Sequence, residues 1–258
     1  MLKIRVIPTL LWKDFGLVKG VGFNSWRRVG SVLPAIKVYN SRDVDELVLV
    51  DISATNEGRK PDGDSVADFS RECFVPFTVG GGIDNINQIS TLLHSGADKV
   101  CINTAAYDKP SLIQESAARF GSQCIVASID VSRCDNNKLM CFSHAGKVNT
   151  GRDPISWAKE LVDLGAGEIL LTSMDLDGTM KGYDLNLIEG VVRAVNVPVI
   201  ASGGAGKYQD MIDAVNVAGA SAVAAASMFH FTEQTPAGAK RAMTLAGINV
   251  RKNLADLP

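Results

Sequence analysis

With 258 residues and 46% hydrophobic content, the chain can bury one substantial core, and its formal charge of -2 gives no overall basic field. That balance argues against nucleic acid or an anionic membrane as partner, and any anion site must be local. Five cysteines without a C-x-x-C pair, Cys73, Cys101, Cys124, Cys134 and Cys141, fit reduced thiols in the cytoplasm, so neither a disulfide nor zinc is expected.

The opening stretch, residues 1–14, lacks a sustained apolar region and a cleavage site and reads as a first strand rather than a signal peptide. Short β-branched runs then recur at residues 4–11, 46–52, 76–79, 99–103, 124–130, 168–173, 198–202 and 222–226. Helical patterns fill the gaps, for example at residues 110–120, 154–164, 185–195 and 208–217. Between helix and strand a small joint repeats, as Ser95-Gly96-Ala97-Asp98, Leu164-Gly165-Ala166-Gly167 and Ala218-Gly219-Ala220-Ser221, where glycine ends the helix. Residues 214–231 are apolar enough to suggest a membrane span, but their small side chains and Asn216 favour a helix end followed by a strand.

Eight strand-helix units predict a single (β/α)8 TIM barrel domain over residues 1–258, with a doubly wound open sheet as the competing architecture. The two halves echo one another. Val75-Pro76-Phe77-Thr78-Val79-Gly80-Gly81-Gly82 resembles Val197-Pro198-Val199-Ile200-Ala201-Ser202-Gly203-Gly204, as a barrel built from two similar half-barrels requires. One connection breaks the rhythm. Residues 131–152 predict a hairpin turning at Asp135-Asn136-Asn137, on the C-terminal face where barrel enzymes build their sites.

The two glycine clusters fall at strand ends, where missing side chains let backbone N–H groups approach a phosphate. The first candidate anion site combines Gly81 and Gly82 with Asn103 and Thr104, and the second combines Gly203 and Gly204 with Ala226 and Ser227. The alternative is that these glycines only turn the chain. Gly203-Gly204-Ala205-Gly206-Lys207-Tyr208 is not a Walker motif, and neither cluster has the dinucleotide order G-x-G-x-x-G. The three histidines, His94, His144 and His230, lack metal-ligand spacing, so no metal or other cofactor is expected.

A longer series of motifs narrows the reading. Lys13-Asp14, Val18-Lys19-Gly20, Asp45-Glu46-Leu47, Thr78-Val79-Gly80-Gly81-Gly82-Ile83, Ile102-Asn103-Thr104-Ala105, Phe120-Gly121-Ser122-Gln123, Asp175-Leu176-Asp177-Gly178-Thr179 and Ala201-Ser202-Gly203-Gly204-Ala205-Gly206 resemble the HisF family over nearly the whole chain. Members of that family are cyclase subunits of imidazole glycerol phosphate synthase, fed with ammonia by a glutaminase.

The resemblance implies a catalytic role for Asp130, and the candidate catalytic set is Asp130, Asp177 and Lys19. The resemblance also implies an aspartate at the end of the first strand, where this chain has Leu11. Leucine cannot move a proton, and a positioned acid or base contributes about 10²- to 10⁴-fold in rate. Asp177 and Asp51 are the nearest carboxylates to replace it, unless they cap loops or pair with Lys19.

Arg5, Glu46, Lys99 and Glu168 each begin a strand, so they ring the opposite mouth of the barrel. Charge pattern alone suggests a stabilising ion-pair ring. The resemblance implies a gate over an ammonia passage, and Asp98 matches a family position that contacts the glutaminase, implying a HisH-like partner.

Leu11, the opening Met1-Leu2-Lys3, Gly151-Arg152-Asp153-Pro154 and the run from Gly178 to Asp184 are similar to a paralogue branch active in acetamidino modification of surface sugars. That resemblance implies ammonia supply for amidination by a separate enzyme. A cyclase of histidine biosynthesis and a non-catalytic docking subunit stand as alternatives.

Overall fold

Alternation along the first strand, β1 (Arg5–Lys13), shows how the sheet is coded. Val6, Leu10 and Trp12 join the large core between sheet and helices, while Ile7 joins a second cluster with Val48, Cys101, Val126, Leu170, Ile200, Ala222 and Ala224. A strand with apolar residues on both faces must be covered on both. The second cluster is the interior of a closed sheet. The computed structural model describes residues 3–14 and 16–252; Met1 and Leu2, which open the paralogue-like run, lie outside them.

After β1 come β2 (Gly16–Val21), β3 (Asn24–Gly30), β4 (Leu47–Asp51), β5 (Phe77–Gly80), β6 (Lys99–Ile102) and β7 (Ile125–Arg133). The rest are β8 (Leu139–Ser143), β9 (Val148–Asn149), β10 (Glu168–Ser173), β11 (Val199–Ser202) and β12 (Ala222–Ala225). The ring runs β1-β4-β5-β6-β7-β10-β11-β12 and closes where β12 pairs with β1, every neighbour parallel. These are the eight predicted runs in chain order, so the barrel stands and the open sheet does not.

The helices are α1 (Val32–Ser41), α2 (Gly63–Ser70), α3 (Ile86–His94), α4 (Thr104–Asp108), α5 (Ser111–Phe120), α6 (Pro154–Asp163), α7 (Leu185–Val192), α8 (Tyr208–Asn216), α9 (Ser227–Phe231) and α10 (Pro236–Leu245). Their starts are locally coded. Asp62, Asn85, Asp153, Asp184 and Thr235 each accept a hydrogen bond from a first-turn N–H, and Pro154 and Pro236 open their helices. Residues 214–231 resolve into the end of α8, then β12 and α9; among the described residues no helix is long and apolar enough to cross a membrane.

The predicted duplication is visible in backbone detail. Gly81 and Gly203 both have positive φ, +103° and +85°, and a Cβ on either would collide with a neighbouring strand's carbonyl, of Asp51 and Ser173 respectively. The five-residue helices α4 and α9 follow β6 and β12, and their preceding residues share an unusual backbone, Asn103 at φ -115°, ψ -84° and Ala226 at φ -126°, ψ -72°.

Two hairpins rise from the C-terminal face. β7 continues into the predicted one, pairing antiparallel with β8, which pairs with β9. The other, β2–β3, is not anticipated by the sequence reading. Its second strand, Asn-Ser-Trp-Arg-Arg-Val-Gly, has no buried residue and hence no apolar alternation to betray it.

Candidate functional site at the C-terminal mouth

The strand ends and the β2–β3 hairpin enclose a cleft of about 1210 Å³ including its open mouth. All eight residues of the two candidate anion sites line it: Gly81, Gly82, Asn103 and Thr104 on one side, Gly203, Gly204, Ala226 and Ser227 on the other. β5–β6 and β11–β12 lie on opposite sides of the ring, so the glycine turns face each other across the opening. Thr55 enters the first cradle, its hydroxyl accepting from the Gly82 N–H at 3.2 Å, a bond for which an arriving anion would compete. The Thr104 hydroxyl accepts from the His144 N–H at 3.0 Å and so ties this cradle to the second hairpin.

Between the cradles sit the ionisable groups. Asp130, at the end of the inward face of β7, accepts from Asn103 Nδ2 at 2.7 Å. Burial, then the like charge of Asp177, pushes its carboxyl up to about 7 against that hydrogen bond. Burial also pushes Asp177 up to about 6, opposed by Lys19 and the Gly178 N–H. Lys19 reaches from β2 into the wall, where Nζ donates to the Thr9 carbonyl at 2.8 Å. Burial brings it down to about 7 despite the pull of Asp177. Asp130 and Asp177 line the cleft near neutrality, and Lys19 is buried behind its wall within charge-interaction range of Asp177.

Leu11 lines the same cleft and adds no such group. Asp51 does not replace it. Its Oδ1 accepts from the Ser53 N–H and hydroxyl and the Ala54 N–H, each at 3.0 Å, while Arg59 holds Oδ2 at 2.9 Å. That carboxylate is consumed in shaping the loop after β4.

Two aromatic rings missed by sequence reasoning, Phe23 and Trp26 of the β2–β3 hairpin, complete the wall. The hairpin is pinned by the Gly22 N–H, which donates to the Asp177 carbonyl at 2.9 Å, and Phe23 lies against Gly146 in the turn of the other hairpin. The only sequence signal for these rings was their nearness to Lys19.

At the opposite mouth the four charged strand starts do meet. Glu46 accepts from Arg5 at 2.5 Å and from Lys99 at 3.0 Å; Glu168 accepts from Lys99 at 2.9 Å and also pairs with Arg5. The Thr78 hydroxyl adds a further bond to Glu46 at 2.8 Å, a member the sequence did not flag. Burial works against the Arg5 charge, but the two carboxylates outweigh it and hold its pKa above the ordinary guanidinium range. Asp98 is exposed beside this ring, one oxygen accepting from the Phe77 N–H at 2.8 Å. Among the described residues no three His, Cys, Asp or Glu side chains gather in a way that could hold a metal ion.

Known proteins resemble the chain over most of its length. A family model described as histidine biosynthesis protein matches residues 5–235. The imidazole glycerol phosphate synthase subunit HisF of Bacillus cereus (strain ATCC 10987 / NRS 248) is 47% identical over 251 residues, covering 97% of this chain and 100% of the relative. The subunit of the same name from Caulobacter vibrioides (strain NA1000 / CB15N) is 48% identical over 252 residues, 97% of each.

Proposed function

The chain belongs to the HisF family, and from that premise we propose that it is the synthase subunit of a glutamine amidotransferase. It takes ammonia from a HisH-like glutaminase at the Arg5–Glu46–Lys99–Glu168 ring, with Asp98 in the docking surface. The ammonia serves amidination, the acetamidino modification of a surface-polysaccharide sugar carried out with a separate enzyme. The anionic ligand rests on the two glycine cradles of the C-terminal mouth. Leu11 carries this reading: it lines the cleft with Asp130 and Asp177, at the position where the family resemblance implies an acid. Asp51, the nearest carboxylate on the adjoining strand, is fully engaged.

A second reading, the cyclase subunit of histidine biosynthesis, is favoured by Asp130 being held near neutrality, where a general base works best, and by the names of the relatives. Turnover of the bisphosphorylated aminoimidazole ribotide precursor with ammonium salt separates the two. The amidination reading expects a rate at least about a hundredfold below that of a relative carrying the aspartate, and Leu11→Asp should recover about 10²-fold or more. A wild-type rate within about tenfold of the relative overturns the first reading, because a lost acid costs more than that.

A further inference from the structure

We propose that the Thr9 hydroxyl is the point where ammonia leaves the barrel interior and is presented to the cleft, an inference that rests on the ammonia-transfer reading above. Arg5, Ile7, Thr9 and Leu11 share the inward face of β1, since alternate residues of a strand point the same way. Arg5 belongs to the charged ring, Ile7 to the apolar interior cluster, and Thr9 and Leu11 to the cleft wall. One strand face therefore runs from the ring to the cleft, and Thr9 marks the change from apolar to polar.

Three observations converge on that position. Thr9 is only 8% exposed, and its Oγ1 is buried without a hydrogen-bond partner, a condition rare in folded proteins. Its carbonyl is held by Lys19 at 2.8 Å, which fixes the backbone and leaves the hydroxyl to rotate. The cleft also reaches into the interior cluster: Cys101, Leu170 and Ala224 are among its lining residues. Cys101 and Leu170 are each two residues beyond a member of the ring, Lys99 and Glu168, so one layer of side chains separates the floor from the charges.

Beside β1 that layer is thin. β12 presents Ala222 and Ala224 to the interior, Ile7 pairs with Ala224, and Ala226 lines the cleft above them. A small neutral amine passing this apolar layer meets Thr9, Ser128, Thr172 and Ser202 along the cleft, and of these four hydroxyls only that of Thr9 is both buried and without a hydrogen-bond partner. Ammonia has one lone pair and three N–H bonds, and a hydroxyl answers both by donating to the lone pair or accepting an N–H. A carbonyl or carboxylate in the same place would accept only.

The experiment compares wild type, Thr9→Val, which keeps the branched shape without the hydroxyl, and Thr9→Ser, which keeps the hydroxyl. Crystals are soaked in methylamine at about pH 10, where an alkyl amine is partly neutral. We expect the amine nitrogen within hydrogen-bond distance of Oγ1 in wild type and Thr9→Ser and its loss in Thr9→Val. In the Leu11→Asp background, Thr9→Val should raise KM for ammonium about tenfold with little change in kcat, and Thr9→Ser should restore it, since removing one hydroxyl–ligand hydrogen bond is an effect of that order. Water alone at Thr9, or equal amine occupancy in Thr9→Val, overturns the proposal. Amine bound at Thr9 without ammonium-dependent turnover in any background supports the proposal and counts instead against the assigned ammonia chemistry.

Discussion

Replacing Asp130 by asparagine tests the electrostatics of the cleft without touching its shape. The substitution keeps an oxygen to accept from Asn103 Nδ2 and removes only the ability to ionise. Because the folded protein holds this carboxyl at about 7, above its unfolded value of about 3.9, folding favours the protonated form. The resulting penalty is absent below about pH 4, grows as pH rises from there to about 7, and is complete above it. Three pKa units convert to about 4 kcal/mol, and contact with the solvent-open cleft reduces this to about 2 kcal/mol. Asp130→Asn should therefore be more stable than wild type by about 2 kcal/mol at pH 8, or about 4–8 °C in Tm for a chain of this size, with no difference near pH 4. Differential scanning fluorimetry of both proteins across that range reads it directly. A variant less stable at pH 8, or a Tm difference that does not change with pH, would refute the idea that burial and Asp177 control this group. Gain in stability on losing a site carboxylate is the expected signature of a group kept for chemistry.

Other perturbations address the remaining features. Glu46→Gln removes one charge from a 1% exposed carboxylate, leaving Arg5 and Lys99 to share Glu168. Since both cations retain some solvent, the cost should be about 2–3 kcal/mol rather than the full penalty of a broken buried pair, seen as a fall of about 5–10 °C in thermal midpoint; an unchanged midpoint would mean that the ring contributes nothing to stability. Soaking crystals in inorganic phosphate should place two ordered anions, one near Gly82 and one near Gly203, and an empty mouth would count against both functional readings. Gly203→Ala forces a side chain into a left-handed turn against the Ser173 carbonyl, and should cost about 2–4 kcal/mol in urea unfolding while removing the second anion only.

The barrel was legible because each parallel strand must be apolar over a short, bounded run, and all eight runs carry that mark. The β2–β3 hairpin escaped because Trp26, Arg27 and Arg28 belong to a strand with no buried residue, so no apolar alternation is imposed on it. Charges at the starts of four strands pointed to a ring at one mouth, since a strand's first residue has a fixed place in a barrel. Thr78 could not be added, because its role depends on the register of β4 against β5. The fate of Asp51 was equally hidden. Whether a carboxylate is free or spent is decided by Arg59, eight residues away on a loop whose path no local pattern specifies. Thr9 is the extreme case: a missing hydrogen bond leaves no trace in a sequence.

The paired glycine turns have a metrical consequence. Standing on opposite staves of a closed ring, they form a caliper whose jaws cannot be moved by changing side chains, because the gap is set by the number and tilt of the strands. Substitutions within the cleft can retune what is recognised between the jaws. The length of a molecule that engages both at once is fixed by the architecture.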